Sequence, residues 1–286
     1  MTLHPTLDTV LAPASAAAVD FMASVHHAPV PEDAPDVAVV LLRPAGAAGR
    51  TPWLLQLPDG GHAAGADDGG LGEVLDLAGR TGCAVASVHY RHRADAPYPA
   101  AIEDAFAALV WLVDNATDLG LDPDRCVVTG VGAGGGLAAA AALLARDLAW
   151  PRILGQLLIR PVLDDRPTAR AHAADPTAAA PVDADDWYAY LDGRAGAADV
   201  HVYAAPARET ALGGLPAAFV EVGSADRVRP EAVDYATRLW LCGGAAELHV
   251  WPRGPHLVDA HAHGAGTALE AQDARAQWLR RVLATA

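Results

Sequence analysis

Thr129-Gly130-Val131-Gly132-Ala133-Gly134-Gly135-Gly136 is the stretch on which the fold turns. The mostly β-branched run Cys126–Thr129 leads into it, and the Leu/Ala-rich run Leu137–Asp147 leads out. The first favours an extended chain and the second a helix, so a strand is expected to feed a helix through a turn of glycines. The same alternation extends in both directions. Val37–Leu42, Trp53–Leu57 and Ala84–Val88 read as short buried strands, and Pro99–Asn115 as an amphipathic helix carrying Ile102, Phe106, Leu109 and Val113 on one face. Downstream, Ile153–Ile159, Ala217–Val222 and Glu247–Trp251 read as strands, with helices over Glu231–Leu241 and Ala268–Leu283. Strands alternating with helices predict an α/β fold, a mostly parallel sheet covered on both faces. Residues 1–30 read as a helical arm. Between Leu163 and Leu215 the rhythm stops, and an insertion of that length in a compact domain points to a functional element such as a lid.

The 286 residues are 52% hydrophobic and 19% charged, which excludes a disordered chain. The formal charge of −15 disfavours nucleic acid and anionic membrane surfaces as partners. Every basic residue is Arg, so lysine Schiff-base chemistry is excluded. Cys83, Cys126 and Cys242 are few, odd in number and widely spaced, which argues against a disulfide framework and for a reducing, cytoplasmic setting. The N-terminus lacks a basic segment ahead of an apolar one, so no signal peptide is expected. No His, Cys, Asp or Glu spacing makes a convincing metal site.

The glycine turn has two readings. Gly130, Gly132 and Gly135 fit G-x-G-x-x-G, a phosphate-cradling turn. The context disfavours it: at least three strands come first, and the next strand ends at Arg160 rather than at an acid. No cofactor is therefore expected. The other reading is a nucleophile elbow, G-x-S-x-G, with Gly132 at its centre where the motif has serine. Gly223-Ser224-Ala225-Asp226 and Gly254-Pro255-His256 follow later strands, giving the order elbow, acid, histidine.

The chain resembles the hormone-sensitive-lipase-like branch of the α/β-hydrolase fold over about residues 36–283. Tyr90-Arg91 with Ala96-Pro97-Tyr98-Pro99-Ala100-Ala101-Ile102-Glu103-Asp104 is similar to the family's YRLAPE…FPAALED segment. Asp122-Pro123-Asp124-Arg125, Pro161-Val162-Leu163-Asp164, Gly214-Leu215-Pro216-Ala217 and Glu247–Trp251 leading into His256 also match. The resemblance implies a hydrolase core over residues 36–163 and 214–286, with a cap formed by an arm (1–35) and an insertion (164–213). It implies a catalytic Asp226 and His256, and an oxyanion hole from the backbone of Gly60, Gly61 and Ala133. Two departures bear on the chemistry. GDSAGG reads Gly130-Val131-Gly132-Ala133-Gly134-Gly135, and HGGG reads Pro58-Asp59-Gly60-Gly61.

Without a side chain at position 132, a serine acyl-enzyme is not expected. The leading expectation is general-base and oxyanion-hole chemistry by His256 and Asp226 on a small carbonyl compound, as elimination, cyclisation or isomerisation. The alternatives are an inert small-molecule binder and a weak hydrolase using directly activated water. Asp59 has three readings: a charge about 5 Å from an oxyanion that opposes it by roughly 3 kcal/mol, a proton donor, or a turn cap. His62 has two readings, a surface or core histidine and a pocket-lining one, and Trp187, Tyr188 and Tyr190 are candidate lid aromatics. The expected ligand is a small organic molecule, with homo-oligomerisation left open.

Overall fold

Apolar residues occupy both faces of the central strands, and this buries the sheet between two layers of helices. The computed structural model describes residues 19–31, 34–59, 70–92, 96–166, 184–252 and 265–285. Eight strands form one sheet: β1 (Phe21–Ala28), β2 (Val37–Pro44), β3 (Thr51–Leu57), β4 (Ala84–His89), β5 (Leu121–Val131), β6 (Gly155–Ile159), β7 (Ala217–Gly223) and β8 (Ala246–Trp251). Their order is β1-β2-β4-β3-β5-β6-β7-β8. β1 with β2 and β2 with β4 are antiparallel, and every later pair is parallel.

The helices are α1 (Leu71–Thr81), α2 (Ala100–Asp114), the short α3 (Ala116–Leu119), α4 (Ala133–Asp147), α5 (Ala184–Tyr190), α6 (Arg229–Leu241) and α7 (Ala265–Leu283). Successive side chains of a strand point to opposite faces. Trp53, Leu55 and Leu57 of β3 accordingly join Cys126 and Val128 of β5 in one core, against α2, α4 and α6. Leu54, Val127, Leu157 and Phe219 face the other core, against α1 and α7. On α2 the fully buried residues include Ile102, Ala105, Leu109 and Leu112, while Phe106 and Val113 are only partly buried at its margin.

The helical expectation for residues 1–30 fails over Phe21–Ala28, which is a half-exposed edge strand paired with β2. Exposure alternates over Phe21–Ser24 and again over Val25–Ala28, with Ser24 and Val25 both exposed; residues 1–18 lie outside the described part. The 163–215 interval contains α5 and the short turn of helix at Pro206–Arg208. Its two ends are tied to each other by Asp165, which accepts hydrogen bonds from Arg208 Nε (2.5 Å), Arg208 Nη2 (2.8 Å) and the Gly196 N–H (2.7 Å). Among the described residues, no helix is long and apolar enough to cross a membrane.

Candidate functional site

β5 ends at Val131 and α4 begins at Ala133, so one residue makes the turn. That residue, Gly132, has φ 58° and ψ −121°, a conformation nearly closed to residues with a Cβ. The turn is clamped to the exit of β6: the Gly132 N–H donates to the Ile159 carbonyl (3.0 Å), and the Val162 N–H donates to the Gly132 carbonyl (3.0 Å). Gly134 allows a close approach, since a Cβ there would lie 2.0 Å from the Leu57 carbonyl oxygen and 2.6 Å from that of Pro58. The first turn of α4 therefore seats directly on the exit of β3. Close packing requires glycine at these positions.

That seating places Asp59 on the elbow. The Ala133 N–H donates to Asp59 Oδ1 at 3.1 Å. A Cβ on Gly132 would meet Asp59 Oδ2 at 2.3 Å, Cγ at 2.6 Å and Oδ1 at 2.8 Å. The carboxylate thus fills the space that a side chain at position 132 requires. It also lies at the start of α4, where the helix dipole and unpaired N–H groups favour an anion. The neighbouring backbone is pinned by Tyr90, whose hydroxyl donates to the Pro58 carbonyl at 2.5 Å. Tyr90 is followed by Arg91, whose Nε and Nη2 donate to the buried Asp104 (3.0 and 2.7 Å). The Asp104 bonds raise the Arg91 pKa, against the opposing pull of burial. The Tyr90-Arg91 pair is therefore a brace for the β3 exit.

Asp226 follows β7 and is 1% exposed. Its Oδ2 accepts from Arg160 Nε (3.0 Å) and its Oδ1 from the Val228 N–H (3.1 Å). Arg160 is itself buried and sits at φ 49° immediately after β6, beside the carbonyl that holds Gly132. Parallel register brings these strand ends together, with Val131 opposite Ile159 and Ile159 opposite Glu221. Nearby, Glu231 of α6 accepts from the Leu163 N–H at 3.0 Å. Burial pushes its carboxyl well above the usual carboxylate range.

The structure thus brings together Gly132, Ala133 and Asp59, and it sets Asp226 on Arg160. Gly60, Gly61, His62 and His256 lie outside the described residues. Trp187 and Tyr190 make ring contacts with each other (5.9 Å), and Tyr190 meets Tyr98 edge-on (6.1 Å). Tyr188 is largely exposed. Cys126 is fully buried in β5 and its thiol is pushed up by burial, so it is a core residue and not a nucleophile. Arg160 and Glu231 escaped the sequence reading. The one available signal was an Arg closing an apolar strand beside the glycine turn.

The sheet order, with a strand–glycine–helix elbow at the exit of β5, defines an α/β-hydrolase-fold protein. A family model described as alpha/beta hydrolase fold matches residues 70–259. The chain belongs to this family, in its hormone-sensitive-lipase-like carboxylesterase branch. It is 35% identical to Esterase LipI of Mycobacterium tuberculosis over 204 residues, covering 69% of this chain and 62% of that protein. It is 31% identical to an Acetyl-hydrolase of Streptomyces hygroscopicus, covering 76% and 70%. The alignment thus spans less than two thirds of the length of LipI. Among solved structures, the Bacterial Heroin Esterase superposes with a TM-score of 0.85 at 31% identity, covering 97% of this chain and 90% of that one. Esterase LipW from Mycobacterium marinum superposes at 0.84 with 35% identity, covering 96% and 86%.

Proposed function

We propose that this protein hydrolyses a small carboxylic ester with water activated directly at the elbow, without a serine acyl-enzyme. One observation carries the reading. The seat above Gly132 is filled by the Asp59 carboxylate, 2.3 Å from where a Cβ would stand, so the elbow has no room for a side-chain nucleophile of its own. The relatives named as esterases favour hydrolysis over the elimination, cyclisation or isomerisation expected from the sequence. By resemblance, Gly60 and Gly61 join Ala133 as oxyanion donors, and Asp226 and His256 correspond to the family's acid and histidine. The part of the N-terminal arm ahead of β1 and the insertion over 164–213, with Trp187, Tyr188 and Tyr190, would roof an apolar pocket for a small molecule.

The test is steady-state and stopped-flow hydrolysis of p-nitrophenyl acetate and butyrate, with fluorophosphonate labelling in parallel. Turnover above buffer, linear from the first cycle and without labelling, is expected. A burst of p-nitrophenol or stoichiometric labelling overturns the reading, and so does the absence of any turnover. A second reading, an inert small-molecule binder, is favoured by the Ala133 N–H, which is already bonded to Asp59. It requires saturable ligand binding with no chemical change over prolonged incubation.

A further inference from the structure

We propose that Asp59 is the base that takes the proton from the attacking water, a carboxylate from the exit of β3 replacing the serine side chain of the elbow. The inference rests on the hydrolytic reading above and names the residue that performs it. Three observations carry it.

The first is position. All three atoms of the Asp59 carboxylate lie within 2.8 Å of the point where a Cβ on Gly132 would be. A substrate carbonyl presented to the elbow therefore meets the Asp59 oxygens where it would otherwise meet a side chain of residue 132. The absent side chain at 132 and the acid at 59 fill one space between them.

The second is preorganisation. The Ala133 N–H orients Oδ1, the Tyr90 hydroxyl holds the preceding carbonyl, and Gly134 lets α4 close on Leu57 and Pro58. A base fixed in this way needs little reorganisation when the proton moves.

The third is the commitment of the other acid. Asp226 is buried, with one oxygen on Arg160 and the other on the Val228 N–H. Its charge is balanced inside the fold by a guanidinium. Among the described residues, Asp226 ties the exits of β6 and β7 together.

The step balances as follows. An O–H bond of water breaks and its proton goes to an Asp59 oxygen. The water oxygen bonds to the carbonyl carbon, and the π pair moves onto the carbonyl oxygen. On collapse, the bond from carbon to the alcohol oxygen breaks, and Asp59 returns the proton to that oxygen. One ester and one water become one carboxylic acid and one alcohol. Asp59 loses its charge as the carbonyl oxygen acquires one, so the two anions never coexist. The repulsion expected of a static Asp59 charge is thereby removed, and the Ala133 N–H faces a single negative charge throughout.

The experiment uses the full chain with p-nitrophenyl acetate, comparing wild type, Asp59→Asn and Asp59→Ala, with and without sodium formate. Asn keeps the size of the side chain and an acceptor for Ala133, and its denaturant midpoint reports folding. Asp59→Asn should lower kcat by about 10²–10⁴-fold with KM within about threefold. Asp59→Ala should fall equally, and formate should restore its rate saturably while leaving wild type unchanged. Variants that keep or exceed the wild-type kcat would overturn the proposal, showing Asp59 to be a spectator or a plug in the oxyanion hole. A low rate in Asp59→Ala that formate does not restore would also overturn it, leaving Asp59 a structural role. Wild type inactive on every ester would sink the hydrolytic reading itself, before any variant is compared.

Discussion

Replacing Gly132 by serine tests the elbow most directly, because the substitution puts the serine of the G-x-S-x-G motif into a space already taken. Two costs are separable. At φ 58° and ψ −121° a residue with a Cβ carries backbone strain of about 1–3 kcal/mol. The new Cβ would also sit 2.3 Å from Asp59 Oδ2, so the carboxylate must leave and give up its hydrogen bond from Ala133. A hydrogen bond to a charged group is worth about 1.5–3 kcal/mol. Gly132→Ser should therefore destabilise by about 2.5–6 kcal/mol. Asp59→Gly removes the same hydrogen bond without the strain. In the double variant that bond is lost only once, so it should be about 1.5–3 kcal/mol more stable than the sum of the single changes. The double variant should also show more ester hydrolysis through an acyl-enzyme than Gly132→Ser alone, since serine then has room. The assay is a urea or guanidinium denaturation cycle on all four proteins, with kcat/KM on p-nitrophenyl acetate. A Gly132→Ser variant as stable as its parent, or a strictly additive cycle, would refute the claim that Gly132 and Asp59 share one seat.

The remaining predictions concern the supports of the site. Glu231 has its carboxyl pKa raised by burial, so the native state holds this proton longer than the unfolded chain. Below the unfolded pKa of about 4.3 the contribution to stability is complete, and it is lost by up to about 1.4 kcal/mol per pH unit as pH rises until the native group ionises. Glu231→Gln should lack that slope, so its stability relative to wild type should grow from pH 4 upward in chemical denaturation series. Arg275 lies between Glu221 of β7 and Glu73 of α1, donating to each at 2.7 Å; burial opposes its charge, but the two carboxylates outweigh it and raise its pKa. Arg275→Met should cost about 3–5 kcal/mol by leaving Glu221 buried and unbalanced, and Arg275→Met with Glu221→Leu should recover a large part of it in the same assay. Tyr90→Phe removes the donor to Pro58 and should cost about 0.5–1.5 kcal/mol. It should also lower kcat on p-nitrophenyl acetate more than it raises KM, because it loosens the segment that carries Asp59.

Much of the scaffold was legible in the sequence because its signals are local. Runs such as Trp53–Leu57 and Ala84–Val88 are mostly apolar and buried on both faces, as strands covered by two helix layers must be. The glycine turn announced a sharp strand-to-helix reversal, and Gly132 carries it. The pattern of α1, with Leu71, Val74, Leu75 and Ala78 buried on one side, was present in the sequence but was masked by the glycines and acids before it. β1 was misread because a half-exposed edge strand repeats too few apolar residues to separate it from an amphipathic helix. The site itself was decided by tertiary structure. Asp59 and Ala133 are 74 residues apart, Arg160 and Asp226 are 66 apart, and Glu73 and Arg275 are 202 apart. No residue pattern states that Asp59 lies on Gly132; that contact exists because α4 packs on the exit of β3. Nor does any pattern assign Arg160 to Asp226, since their meeting depends on the register of β5, β6 and β7. Local sequence sets backbone preference and the chemistry of each side chain, but the partner of a charge is chosen by which strand ends the parallel sheet brings to the same edge.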